Sequence, residues 1–115
     1  MAGTYRFKMD QGSTVRRPLR WLRNGEPMDL TGATARMEIR TAAGGALLHR
    51  LDTTNGGITL GGTAGTILIY IPAAVSSAWT VLQGVYDLEV VFPNEDVTRL
   101  LQGNFSVSAE VTTGE

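Results

Sequence analysis

The sequence predicts an all-β protein, a single sandwich or barrel. Three observations point there. Several runs alternate apolar and polar residues with period two. Fourteen glycines interrupt those runs at short intervals, and short strands spaced between turn signals are the mark of a sandwich or barrel. Only one stretch, Pro72 to Trp79, lacks strand alternation and has the makings of a helix.

Taken in chain order, Tyr5, Phe7 and Met9 share one face of the first run, with Arg6 and Lys8 on the other. Val15, Leu19 and Trp21 share a face in the second, with Arg16 and Arg20 opposite and Arg17 breaking the stripe. Ala33, Ala35, Met37 and Ile39 alternate with Thr34, Arg36, Glu38 and Arg40, the cleanest period-two run. Ile67, Ile69 and Ile71 alternate with Leu68 and Tyr70, so this strand is expected to be covered on both faces. Tyr86, Leu88, Val90 and Phe92 oppose Val85, Asp87, Glu89 and Val91; Phe105, Val107, Ala109 and Val111 form the last stripe.

Between these runs, Asn24-Gly25 tolerates positive φ at both central positions and predicts a hairpin turn. Ala43-Gly44-Gly45 and Pro93-Asn94-Glu95-Asp96 predict further turns. Pro72 suits a first helical turn and the alanines favour one, so a single short helix near 72–80 is expected, carrying the chain from one sheet to the other over one end of the sandwich. The segment 112–115 is expected to fray or to serve as an attachment point.

A chain of 115 residues, 43% hydrophobic and 18% charged, fits one globular domain, residues 1–115. Ten basic against eleven acidic residues leave a net charge of −1, which supplies no global field for nucleic acid or an anionic membrane. The lack of cysteine excludes disulfides and thiolate chemistry, and a single histidine, His49, excludes a multi-histidine metal cage. The first residues carry no apolar stretch of the signal-peptide kind. Synthesis in the cytoplasm of the producing cell is the expectation.

No catalytic constellation stands out. Gly61-Gly-Thr-Ala-Gly65 is glycine-rich but is not followed by Lys-Ser/Thr, so it predicts a hairpin turn rather than a phosphate cradle. Asp87 and Glu89 point to the same face of one strand. Such a pair can do glycosidase acid–base work, but with no cluster of sugar-stacking aromatics beside it, it is more simply the solvated face of an amphipathic strand. Asn94-Glu95-Asp96 offers oxygen ligands without the alternating spacing of a calcium loop. No cofactor or metal is expected. The basic residues carry more information. Nine of ten are arginine, and Arg16, Arg17, Arg20 and Arg23 crowd around Trp21. Arginine and tryptophan are enriched in protein interfaces, so these five residues are the candidate partner contacts.

The order of motifs is also familiar: Asp10-Gln-Gly-Ser13, an apolar strand ending at Trp21, Asp29-Leu-Thr-Gly-Ala-Thr-Ala-Arg-Met-Glu-Ile-Arg40, Asn55-Gly-Gly-Ile58, Tyr86-Asp-Leu-Glu89 and Val97-Thr-Arg-Leu-Leu-Gln-Gly103. This resembles a family of small phage and prophage structural proteins related to the N-terminal domain of baseplate upper proteins. The resemblance spans about Asp10 to Val111; Ser13 and Gln102 stand where that family has acidic residues. It implies an immunoglobulin-like β-sandwich of about seven to nine strands, located in the virion and in the tail, baseplate or fibre-attachment region rather than the head. Its partners would be other virion proteins, with many copies in a symmetric assembly.

The expected function is therefore a non-enzymatic assembly or adaptor module acting through protein–protein contacts. Capsid decoration on the same fold is the alternative, as is a carbohydrate-binding module for host recognition. The latter would need exposed aromatics, whereas most of the eight aromatic residues fall on core-facing positions. Trp21 and Tyr86 are expected to anchor the inter-sheet core.

Overall fold

A computed structural model describes residues 2–112. It contains strands β1 (Gly3–Thr4), β2 (Phe7–Asp10), β3 (Val15–Arg20), β4 (Leu22–Arg23), β5 (Glu26–Pro27), β6 (Thr34–Arg40), β7 (Leu47–Asp52), β8 (Ile58–Leu60), β9 (Thr66–Ile71), β10 (Gln83–Val91) and β11 (Val97–Ser108). One short helix, α1 (Ala73–Ser77), lies between β9 and β10. Eleven strands exceed the seven to nine expected because β1, β4 and β5 are only two residues each.

The larger sheet runs β11-β10-β6-β7, with β1 and β2 pairing parallel to successive parts of β11 along one edge. The smaller sheet is β3-β9-β8, and β4-β5 form a separate hairpin. The order β11-β10-β6 facing β3-β9-β8 is the G-F-C against B-E-D order of an immunoglobulin-like sandwich, with β7 beside β6 in the position the variable type adds. The fold class read from the alternation therefore holds.

The alternating residues form the core. Ala35, Met37 and Ile39 of β6 are buried while Thr34 and Arg36 face solvent. Ile67, Ile69 and Ile71 of β9 meet them from the other sheet in a single apolar cluster with Phe7, Leu51, Leu88 and Phe105. Each of the larger side chains contributes roughly 1.5–3 kcal/mol. Leu68 and Tyr70, on the outer face of β9, are half-buried. The last stripe stops earlier than expected. The partners of β11 run out at Gln83, opposite Ser106, and at Asp10, opposite Ser108. With no ladder left, Ala109 and Val111 are exposed, Val111 at 94%.

Turns follow their residues. Asn24 and Gly25 have φ of 52° and 80°, the two-residue turn that closes β4 onto β5. Asp29 Oδ1 accepts the Thr31 N–H at 3.0 Å and sets the entry into β6 while Leu30 plugs the core. The stretch 61–65 does join β8 to β9 as a hairpin, through a 3₁₀ turn over Gly62–Ala64.

Helix α1 crosses from the smaller sheet to the larger, as its position between β9 and β10 requires. It is tied to the turn after β2. Ser76 is fully buried, and its Oγ accepts the Gly12 N–H at 2.8 Å. The Gln11 side chain donates to the Trp79 carbonyl at 3.1 Å and accepts from the Glu110 N–H at 2.9 Å. Three distant segments are thus joined through one amide side chain.

The N-terminal strand breaks at Tyr5-Arg6, where it crosses Gly103 of β11 so closely that any Cβ on residue 103 would strike the Tyr5 carbonyl. Tyr86 is the core anchor its alternation predicts. Trp21 is not: it lies one residue beyond the last β3–β9 pair, half-buried at the end of the sandwich, and the buried tryptophan is Trp79. The chain tail at residues 113–115 lies outside the described residues, so the expected fraying concerns only Thr112 among them.

Candidate functional site

The five candidate contact residues do not form one face. Strand β3 places Arg16 and Arg20 on the outer face of the smaller sheet, both exposed. The Arg16 guanidinium lies over the Tyr70 ring, 5.0 Å from its centre. Arg17 has the opposite parity and turns into the mouth of the sandwich, 4.4 Å above the centre of the Phe7 ring. There it donates to the Tyr5 hydroxyl at 2.8 Å and to the Lys8 carbonyl at 3.0 Å. Arg17 is therefore a bridge between the two sheets. Its interruption of the apolar stripe reflects a fixed role at the open side of the fold.

Trp21 and Arg23 belong to a different place. The Trp21 N–H donates to the Gly65 carbonyl at 2.8 Å, and the Trp21 carbonyl accepts from Met28 at 2.9 Å. Its ring packs against Phe92 at 5.9 Å between centres. Trp21, Met28, Phe92 and Pro93 line an open groove of about 820 Å³, with Arg23 and Asp96 also on its walls. Leu22 and Val97, about half exposed at 49% and 51%, lie in the adjoining strands.

The carboxylates are engaged with one another's partners. On the outer face of the larger sheet, Arg36 pairs with Glu89 at 2.8 Å and Glu38 with Arg40 and Arg50, each at 2.7 Å. Arg50 also reaches Asp52 at 3.1 Å, and Arg99 reaches Asp87 at 3.5 Å. Glu38 is held below the usual carboxylate range by hydrogen bonds from Arg40 and Arg50. Asp87 is pushed up, first by partial burial and then by the charge of Glu89. Asp87 and Glu89 thus sit in a lattice of opposite charges spread over four strands, the arrangement of a solvated sheet face. His49 packs against the Trp79 ring at 5.9 Å, and burial pushes its pKa down. Asn94 and Asp96 bond to each other within their turn. Among the described residues no three acidic or histidine side chains converge as metal ligands.

Alternation alone missed the treatment of the sheet edges. Just past β7, Thr53 donates to the Ala35 carbonyl, so His49 and Leu51 turn their backbone groups to β6, and the N–H and C=O groups of Arg50 and Asp52 point outward. The side chain of Asn55 occupies that edge. Its Nδ2 donates to the Arg50 carbonyl at 3.0 Å, and its Oδ1 accepts from Asp52 N–H at 3.0 Å and Gly57 N–H at 2.9 Å. In β2, the outward carbonyl of Lys8 is taken by Arg17 and that of Asp10 by the Ser13 hydroxyl at 2.6 Å. Strand β8 is only three residues long. Exposed edges invite pairing with other chains, and each of these is blunted by a side chain or by shortness.

Strand β3 differs. Trp21 donates to Gly65, so Arg17 and Leu19 face β9, and Arg16, Pro18 and Arg20 present their backbone groups to the open side. Pro18 is tolerated for that reason, since its missing N–H would have pointed away from the ladder. The remaining outward groups of Arg16, Pro18 and Arg20 have no partner among the described residues.

Compared with protein-family models and with curated proteins, the chain matches none.

Proposed function

We propose that this protein is a non-enzymatic structural module of a phage virion. In this reading it joins components of the tail, baseplate or fibre-attachment region through protein–protein contacts. The observation that carries the contact reading is the groove lined by Trp21, Met28, Phe92 and Pro93. A groove walled by a tryptophan, a methionine, a phenylalanine and a proline, with charged side chains among them, has the composition of a protein contact site. The placement in a virion rests on the ordered motifs from Asp10 to Gly103. Several now have a physical role: Asn55 caps an edge, Asp29 sets a turn, and Tyr86 and Gly103 hold the N-terminal strand.

Many copies on a symmetric assembly would turn a weak single contact into stable attachment. The test is immunogold labelling of this chain on purified particles, viewed by electron microscopy. Label at the tail end is the expected result. Label over the head would favour capsid decoration, and particles without the chain would overturn the virion assignment.

A further inference from the structure

The net charge of −1 conceals a division. Residues 6–23 hold six basic side chains against one acidic, a local charge of +5. The rest of the chain holds four basic against ten acidic, a charge of −6. Those four, Arg36, Arg40, Arg50 and Arg99, make all five ion pairs of the described residues. Arg6, Lys8, Arg16, Arg17, Arg20 and Arg23 make none there. Three of them, Lys8, Arg16 and Arg17, line the open side of the sandwich between β2 and β3, where Arg17 donates to the Lys8 carbonyl.

Two properties therefore coincide on β3. Its outward N–H and C=O groups at Arg16 and Arg20, and the C=O of Pro18, are unpaired, while the edges of β2 and β7 are stopped by Arg17, Ser13 and Asn55. The same stretch carries cations without counter-charges. We infer that the β3 edge binds an extended acidic polypeptide segment, which adds as a strand beside Arg16–Arg20 and sets its carboxylates against Arg16 and Arg20. The open backbone groups favour a polypeptide over a nucleic acid, because only a peptide presents a matching ladder. The −6 charge of the remaining surface also repels a long polyanion but spares a short segment. Pro18 limits the added strand to one short register, since it withholds the central N–H.

The inference rests on the contact-module reading, but its test is separable: particle labelling reports where the chain sits, and peptide binding reports what β3 takes. The probe is a synthetic peptide of alternating Glu and Val, nine residues long, titrated at low salt into the ¹⁵N-labelled full chain and followed by amide shifts. Shifts centred on Arg16 and Arg20 are expected, with at least a roughly tenfold weaker affinity for Arg16→Glu/Arg20→Glu. A peptide N-methylated at alternate amides keeps its charge and loses the ladder, and it is expected to bind at least about tenfold more weakly. Equal binding of the methylated peptide, shifts centred elsewhere, no binding at low salt, or tighter binding of a DNA oligomer of equal charge would each overturn the inference. Both exposed arginines face solvent, and retained amide dispersion in the double variant separates lost binding from lost folding.

Discussion

The Tyr86 hydroxyl donates to the backbone carbonyl of Tyr5 at 2.6 Å, across β11 and over Gly103. This bond holds the N-terminal strand at the point where it breaks between β1 and β2. Tyr86→Phe keeps the ring but leaves the Tyr5 carbonyl unpartnered, and it is expected to cost about 1–2 kcal/mol in denaturant unfolding. Burial raises the Tyr86 pKa to about 12. The folded state therefore keeps its proton while the unfolded chain loses it above pH 10. The Tyr86 contribution is fully present below pH 10 and falls as pH rises from 10 towards 12. Tyr86→Phe is expected to remove that portion of the alkaline loss, and a wild-type curve flat over this range would contradict the assignment.

Arg17 and Arg20 are three residues apart and are expected to behave differently. Arg17→Ala removes a guanidinium stacked on Phe7, two hydrogen bonds and the stopper of the β2 edge. A loss of about 1–2 kcal/mol is expected. Arg20→Ala touches an exposed side chain and is expected to stay within about 0.5 kcal/mol. Equilibrium unfolding of the two variants decides the point, and equal losses would show that Arg17 is an ordinary surface residue.

Asn55→Ala leaves the Arg50 carbonyl and the Asp52 N–H of β7 open to other chains. Loss of its three hydrogen bonds is expected to destabilise the fold by about 1–2 kcal/mol. The uncapped edge is expected to raise self-association, which light scattering against concentration would detect. A variant as monomeric as the parent would mean that the edge needs no cap.

Below neutral pH His49 and Asp52 act in separate windows. Burial lowers the His49 pKa from 6.5. As pH falls below 6.5 the unfolded chain takes up a proton that the folded chain resists, so stability falls there. Asp52 is held at about 2 by hydrogen bonds from Thr54 and Arg50 and the Asn55 N–H. Its contribution is present above 3.8 and is lost as pH falls towards 2. His49→Gln is expected to reduce the loss in the upper window alone, and Asp52→Asn to reduce that in the lower, which the lowered Glu38 shares. A single loss common to both variants would contradict the separation.

What the sequence makes legible follows the range of the interaction. The stripe of Ala35, Met37 and Ile39 and the Asn24-Gly25 turn are local, and both appear where alternation and turn chemistry put them. Arg17 is different. It stands on an apolar stripe because its guanidinium meets Phe7 from another strand, a contact no local pattern encodes. Grouping it with Arg16 and Arg20 by composition joined residues that the pleat separates. Trp21 has core-like parity, but β3 ends before it. Asn55 stands in the sequence only as the start of the Asn55-Gly-Gly-Ile58 motif, and its capping role depends on which backbone groups of β7 point outward. Edge exposure is a property of the assembled sheets, so the contrast between β7 and β3 emerges only from the pairing.

That contrast underlies the functional account: β7 and β2 are stopped, and β3 is open beside unpaired cations. Native-state hydrogen exchange of backbone amides tests it most directly. The account predicts fast exchange at Arg16 and Arg20, protection at Arg17 and Leu19 between and beside them, and slowed exchange at Asp52, whose N–H is held by Asn55. Protection at Arg16 and Arg20 equal to that at Arg17 and Leu19 would mean that the β3 edge is already covered, and would contradict the account.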